Sequence, residues 1–403
     1  MSRHPQLYPW TDELSSRLDG LPPVFIALLA LWSLGMILAK RCSLSSVSCY
    51  LAELLDQSAN TVRQRLREFY QEAAAKAGAK RGAKRRDFDV TVCFVPLLRW
   101  VLSFWSCRRL ALALDVTNVG DRFHILCVSV LYGGIGIPVA WKILPGNQKE
   151  AWNPHWCRLL ASLRPAVPAD WTVVVLSDRG LESAPLFRAI VGVGWHPLMR
   201  VKAGGKFRPA GWVRWYGLGT LVPRRGARFA ATGLAYKTAA EPLRCTVLAL
   251  WKEGYDEPWL VLTDLPACAA SPCWYAFRAW IEQGFKVIKG GALHWQNSRI
   301  TKAQRAERMW LALAVTMLWM VVIGAVVEGD ECKETLGEVA TEAREKAGRV
   351  HRLFQVGLAK CLAALIKGQR LPTGQLAPEP WPETWHDVVT PTEQEFTSSE
   401  LYP

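Results

Sequence analysis

Residues 108–115 read RRLALALD and residues 172–178 read TVVVLSD. Each is an apolar run that ends in an aspartate, Asp115 or Asp178, and the second is strongly β-branched. Each reads as an apolar strand. Between them lie 124–133, HILCVSVLYG, and 135–144, IGIPVAWKIL, two more candidate strands parted by turn-prone glycines. A helix is expected over 153–163, another over 181–193, and a strand in 194–202, GWHPLMRVK. Three strands, a helix, a strand, a helix and a strand predict an α/β sheet starting near Leu97. Polar residues at strand ends are where such sheets place ligands and chemistry.

Downstream, the helical texture stops between about Phe207 and Asp264. The runs RFAATGLAYK (228–237), PLRCTVLALW (242–251) and PWLVLTD (258–264) predict a mostly β insertion. It and the strand before it concentrate basic residues, among them Arg200, Lys202, Lys206, Arg208, Arg214, Arg224, Arg225, Arg228, Lys237 and Arg244. That density suits a DNA-facing surface, with simple solubility as the plainer alternative. Helices resume at Pro272. A long helix over 301–327 passes from charged to almost wholly apolar, as an outer helix covering a sheet must, so its Trp310, Met317, Trp319 and Met320 are expected in the core. Two more helices are expected over 328–368, then a tail rich in Pro, Thr, Glu and Trp that reads as extended or partly disordered.

Upstream, residues 1–90 predict a helical unit with helices over 24–39, 44–55 and 60–76, the last two capped by Ser43 and Ser58. The third, within SANTVRQRLREFYQEA, has a basic side, and with its predecessor fits a helix-turn-helix that brings Arg63, Arg65 and Arg67 to DNA; ordinary packing is the rival reading. KAGAKRGAKRR, 76–86, including Arg85 and Arg86, reads as an exposed basic linker able to neutralise phosphates without reading bases.

The chain has 403 residues, half of them apolar, and 49 Lys and Arg against 35 Asp and Glu, a formal charge of +14. A core is affordable, disorder is not the default, and a polyanionic partner is favoured. The eleven cysteines show no zinc-site spacing, which suits reduced, buried thiols. The first twenty residues lack the apolar core of a secretory signal. Two apolar stretches, 23–39 and 309–327, have membrane-span composition, and buried helices account for both. GIGIP (134–138) lacks the GxGxxG pattern and no GxxxxGK[ST] occurs, so no nucleotide cofactor is expected.

Asp115 or Asp178 alone would read as a cap or turn residue; two of them in one α/β sheet suggest strand ends that bring distant acids together. Glu282 supplies a third carboxylate within YAFRAWIEQGFKVIKGG (275–291), expected as one helix over 271–288. Tyr275, Arg278, Glu282, Phe285, Lys286 and Lys289 recur there at intervals of three or four on one broad face. A salt-bridged surface helix is the alternative, but the interleaved Tyr, Trp, Phe and Ile require partial burial. Asp121 and Asp264 are rival acids in turn-like contexts; Trp212, Trp215 and Trp295 are core candidates that could also stack on bases. His124, His196 and His294 lack metal-site spacing.

The spacing Tyr275, Arg278, Glu282, Lys289, with LSDRG around Asp178 and LALDVTNVG around Asp115, resembles the signature of DDE transposases of the insertion-sequence-four type. The likeness extends through PVAWKIL (138–144) and PWLVLTDLP (258–266), roughly residues 111 to 318. It implies an α/β fold: an RNase H-like core, a mixed sheet with flanking helices, interrupted by a mostly β insertion, with helical N-terminal and C-terminal regions. The expected boundaries are 1–90, 91–206, 207–264, 265–327 and 328–403. Asp115, Asp178 and Glu282 would be the catalytic and metal-binding triad, holding two Mg²⁺ ions that Mn²⁺ can replace, since hard cations take oxygen ligands. Tyr275, Arg278 and Lys289 would contact the DNA end, with Lys286, Arg200, Lys202, Arg63, Arg67, Arg85 and Arg86 as further DNA contacts. The implied partners are double-stranded transposon-end DNA with terminal inverted repeats, target DNA and a second copy of the chain, in a bacterial cytoplasm beside the nucleoid and without a membrane. A metal-dependent nuclease with the same core and an inactive DNA-binding descendant are the competing readings.

Overall fold

A computed structural model describes residues 5, 7–76, 86–105, 107–148, 150–238, 241–334, 352–372, 374, 376–378, 380–384 and 390–398. Arg85 and most of the basic linker lie outside the described residues, as does 335–351 within the expected C-terminal helices.

The N-terminal region holds α1 (Leu7–Arg17), α2 (Pro23–Ala39), α3 (Leu44–Leu55) and α4 (Ala59–Tyr70). Pro22 and Pro23 open α2, where a missing N–H costs nothing, and residues 25–26 and 28–37 are all buried. Gly35 lets α3 cross close by, since a Cβ there would press on Val47 and Leu51. The two axes meet at 98°. Ser58 caps α4 by accepting from the Thr61 N–H at 3.2 Å. The sequence expectation missed α1, a polar helix with only Trp10 and Leu14 buried, and carried α4 six residues too far.

A short apolar helix, α5 (Phe94–Leu102), comes next, and the first strand starts at Arg109, within the expected RRLALALD. The sheet then runs through β1 (Arg109–Val119), β2 (Phe123–Tyr132), β3 (Ile135–Pro145), α6 (Asn153–Leu163), β4 (Thr172–Ser177), α7 (Ala184–Gly192) and β5 (His196–Arg200), the order read from the sequence. β1, β4 and β5 are parallel neighbours, and β2 and β3 continue antiparallel from β1. Leu110–Leu114 and Val173–Ser177 are buried without interruption because helices cover this sheet.

β6 (Lys206–Pro209), β7 (Tyr216–Gly217), β8 (Arg228–Ala235), β9 (Leu243–Leu250) and β10 (Trp259–Thr263) form the β-rich stretch. They extend the same sheet. β10 pairs antiparallel with β5, giving ten strands in the order β3-β2-β1-β4-β5-β10-β9-β8-β6-β7. The domain is thus a central mixed sheet flanked by helices, with extra helical regions.

After β10 the chain makes a 3₁₀ segment over Pro272–Arg278, then α8 (Ala279–Lys286) and one π turn over Val287–Gly291. The single α-helix expected over 271–288 is therefore three kinds of turn in series. The long apolar helix is α9 (Ala303–Glu334), followed by α10 (Arg352–Ile366) and α11 (Glu393–Ser398). α9 contains a window long and apolar enough to cross a membrane, of which 89% is buried inside the molecule. The tail is not simply extended. α11 sets Phe396 against Trp212, Tyr216 and Phe229, while the Glu393 carboxylate accepts from the Val213 and Arg214 N–H groups and the Tyr216 hydroxyl.

Candidate active site

β1 and β4 run parallel in register up to Leu114 opposite Ser177, so Asp115 and Asp178 are the next residue on each strand. Sequence reasoning placed Asp115 at the end of its strand. In the structure β1 continues to Val119, paired there with β2 alone, so Asp115 sits where β1 parts from β4. That divergence opens a cleft at the carboxyl ends of the parallel strands. The Asp115 carboxylate accepts from the Val116 N–H at 2.8 Å, and Asp178 accepts from the Gly180 N–H at 2.9 Å, which fixes both side chains.

Glu282 reaches the cleft because α8 lies unusually close to β3. A Cβ on Gly284 would overlap the Gly136 carbonyl oxygen, and one on Gly136 would stand 2.7 Å from the Ile281 Cα. Two glycines facing each other permit this approach, and a glycine two positions after Glu282 was the available sequence signal. Neither was singled out as a site residue.

The three carboxylates gather round one guanidinium. An Arg278 Nη lies 2.9 Å from Asp115 Oδ2 and 3.3 Å from Asp178 Oδ2, and the other pairs with Glu282 Oε1. The Arg278 side chain is 13% exposed, while Asp178 and Glu282 are open to solvent at 38% and 50%. Burial lifts the Asp115 carboxyl to about 6, against the pull of Arg278 and the Val116 N–H and with a further push from Asp178 and Glu282. Burial would lower Arg278, but Asp115, Tyr275, Asp178 and Glu282 outweigh it and the net shift is upward.

Asp115, Thr117, Glu282, Lys286, Lys289 and Gln296 line a cleft of about 640 Å³. Lys289, on the π turn, donates to the Thr117 hydroxyl at 3.1 Å, and Lys286 is exposed. π turns of this kind recur at functional sites. Tyr275 lies elsewhere: it is 6% exposed, with Arg200 5.7 Å from its ring centre and Trp259 edge-on, and burial pushes its hydroxyl up to about 12. It is a buried residue near Arg278. Arg200 is half-buried against Glu257, Lys202 is exposed, and on α4 Arg67 is exposed whereas Arg63 is partly buried. Arg86 is exposed, and its carbonyl accepts from Lys76, the first residue of the expected linker, which is itself buried over Phe25. Trp212 and Trp295 are buried, and Asp264 pairs with His196 at 3.0 Å, away from the acids.

A family model for the transposase DDE domain matches residues 119–319, which takes in Asp178 and Glu282 and begins four residues after Asp115. Residues 119–319 form a transposase DDE domain. Its presence is consistent with the phosphoryl transfer on DNA that such domains perform with divalent metal ions. No curated protein matches the chain. Among the described residues no three His, Cys, Asp or Glu side chains stand close enough together to form a ready-made metal site. Each of the three acids is instead paired with the one Arg278 guanidinium. In donor chemistry the all-carboxylate set fits a hard divalent cation.

Proposed function

We propose that this transposase domain has an RNase H-like core and cleaves DNA at transposon ends, then joins the freed 3′-hydroxyl to target DNA, with Asp115, Asp178 and Glu282 as its catalytic acids. The observation that carries this reading is the convergence of these three carboxylates, from two parallel strands and one helix, on a single guanidinium at the edge of a lysine-lined cleft. Asp115, Asp178 and Glu282 would hold two Mg²⁺ ions, replaceable by Mn²⁺, which supply activation of the attacking oxygen and relief of charge on the leaving one.

The rest is the chain's own work. Lys286 and Lys289 bind phosphates along the cleft, and Thr117 holds the Lys289 ammonium in place. The Val116 and Gly180 N–H groups orient the two aspartates. Tyr275, wedged under Arg200, steadies the segment that carries Arg278. Arg63, Arg67, Arg85, Arg86, Arg200 and Lys202 add sequence-independent attraction for the duplex. Two ends must be cut in concert, so the working form is a homodimer on DNA; light scattering with end DNA should give two chains per complex, and a complex of one chain with one end would rule the dimer out.

The deciding assay is of purified protein with Mg²⁺ or Mn²⁺, labelled DNA carrying the element's ends, and a supercoiled target, alongside Glu282→Gln. Joined donor and target products from the unmodified protein alone are expected. Metal-dependent cleavage without joining would indicate a nuclease, and binding without cleavage an inactive descendant.

A further inference from the structure

Arg278 is a strange occupant for a site meant to hold cations. Its two Nη groups are spent on three carboxylates, while its Nε is buried with no hydrogen-bond partner among the described residues. An orphaned buried donor is a standing cost, so this placement is not the best one available to a guanidinium. One positive charge also faces three acids, which leaves the cluster short of cation. Arg278 stands at the junction of the 3₁₀ segment and α8, where a small rewinding of the backbone re-aims a side chain. Asp178 and Glu282 are the more solvent-exposed of the three acids.

A divalent cation takes carboxylate oxygens at about 2.0–2.1 Å, and one oxygen of each of these acids is now paired with the Arg278 guanidinium. An ion seated on those oxygens competes with Arg278 for them. Resting on the functional reading above, we infer that Arg278 is a resident counter-cation that closes the metal site in the absence of DNA, and that a DNA phosphate draws it out and so raises the affinity for metal. Linkage makes the effect reciprocal: metal that expels Arg278 makes it available to phosphate.

Mn²⁺ binding to the full chain, followed by loss of the free-ion electron paramagnetic resonance signal, tests this without any measure of turnover. Without DNA, Arg278→Gln should bind Mn²⁺ at least about tenfold more tightly than the unmodified protein, within the usual range of coupling between sites. Arg278→Lys, which keeps the charge but cannot span three carboxylates, should fall between them and decides the matter if the Gln variant does not fold. Adding duplex DNA, with the ions taken up by DNA alone subtracted, should tighten binding to the unmodified protein and change Arg278→Gln little. Equal or weaker binding by both Arg278 variants would overturn the inference. Asp178→Asn separates its failure from that of the functional reading. If Asp178→Asn abolishes binding while the Arg278 variants do not tighten it, the acids hold metal and only the closing role of Arg278 is wrong. If binding survives Asp178→Asn in every background, the acids are not the metal site and the functional reading itself fails.

Discussion

Arg308 is buried and Arg278 largely so; both join distant parts of the chain, and they are satisfied in opposite ways. Arg308, on α9, donates from Nε to the Phe88 carbonyl at 2.9 Å, from one Nη to the Tyr70 carbonyl at 3.1 Å and from the other to Asp87 at 3.2 Å. Every nitrogen has a partner and one acid balances one base. Arg278 leaves its Nε without a partner among the described residues and faces three acids. The first arrangement is a fastening of the N-terminal region to α9; the second is a charge cluster with an exchangeable cation. Burial and ion pairing alone do not tell them apart, but completeness of hydrogen bonding and charge balance do.

The sharpest way to break this contrast is to remove each arginine. Arg308→Gln should cost about 3 kcal/mol, because two buried carbonyls lose their donors and Asp87 its partner, and added Mn²⁺ should restore nothing. Arg278→Gln should cost about 1 kcal/mol, since Asp115, already lifted to about 6, can take up a proton instead, and Mn²⁺ should restore it. Urea unfolding with and without the metal reads both, and equal losses would erase the distinction.

Gly284→Ala comes next. Its Cβ would overlap the Gly136 carbonyl, so α8 must lift from β3 at about 2 kcal/mol and carry Glu282 away from the aspartates. DNA cleavage should fall further than stability does, and an unchanged cleavage rate would mean that this close approach does not position Glu282.

Smaller effects separate the two regions by pH. The Arg305 hydrogen bond holds Glu72 at about 2, below its ordinary 4.5, at the same seam that Arg308 fastens. A lowered carboxyl stabilises the fold fully above about pH 4.5 and loses that contribution as pH falls toward 2. Glu72→Gln should therefore cost about 1.5 kcal/mol at pH 7 and nothing near pH 2. Asp115 has the opposite sign: raised from 3.8 to about 6, its contribution is full below about pH 3.8 and lost as pH rises through 6. Denaturation of Glu72→Gln and of Asp115→Asn across pH 2–8 should show the two windows, and a single shared window would mean that one of these environments is misjudged. Smallest in global terms, Phe396→Ala should free α11 from Trp212, Tyr216 and Phe229 and speed proteolysis of the tail without moving the unfolding midpoint, because this contact is local.

Local pattern was enough to find β1, β4 and the order of elements to β5, because strands buried on both faces print as unbroken apolar runs. It failed where structure rests on contacts distant in sequence. The pairing of β10 with β5 joins the β-rich stretch to the main sheet, and no property of 258–264 alone announces that partner. α1 was missed because only two of its residues are buried, and α5 because FVPLLRWVL is too short to show whether its period is helical. Spacing put Arg278 and Glu282 on one face, as i and i+4, but not which way that face points. Tyr275 shares the three-to-four spacing yet turns inward, because the segment carrying it is 3₁₀ and packs on β10.

End cleavage in Mg²⁺ by five single variants tests the catalytic acids directly: Asp115→Asn, Asp178→Asn and Glu282→Gln inside the cluster, and Asp121→Asn and Asp264→Asn outside it. The expected result is cleavage at background level for the first three with DNA binding largely kept, and near-normal cleavage for the other two. Activity retained in any of the first three would remove that acid from the catalytic set and contradict the assignment.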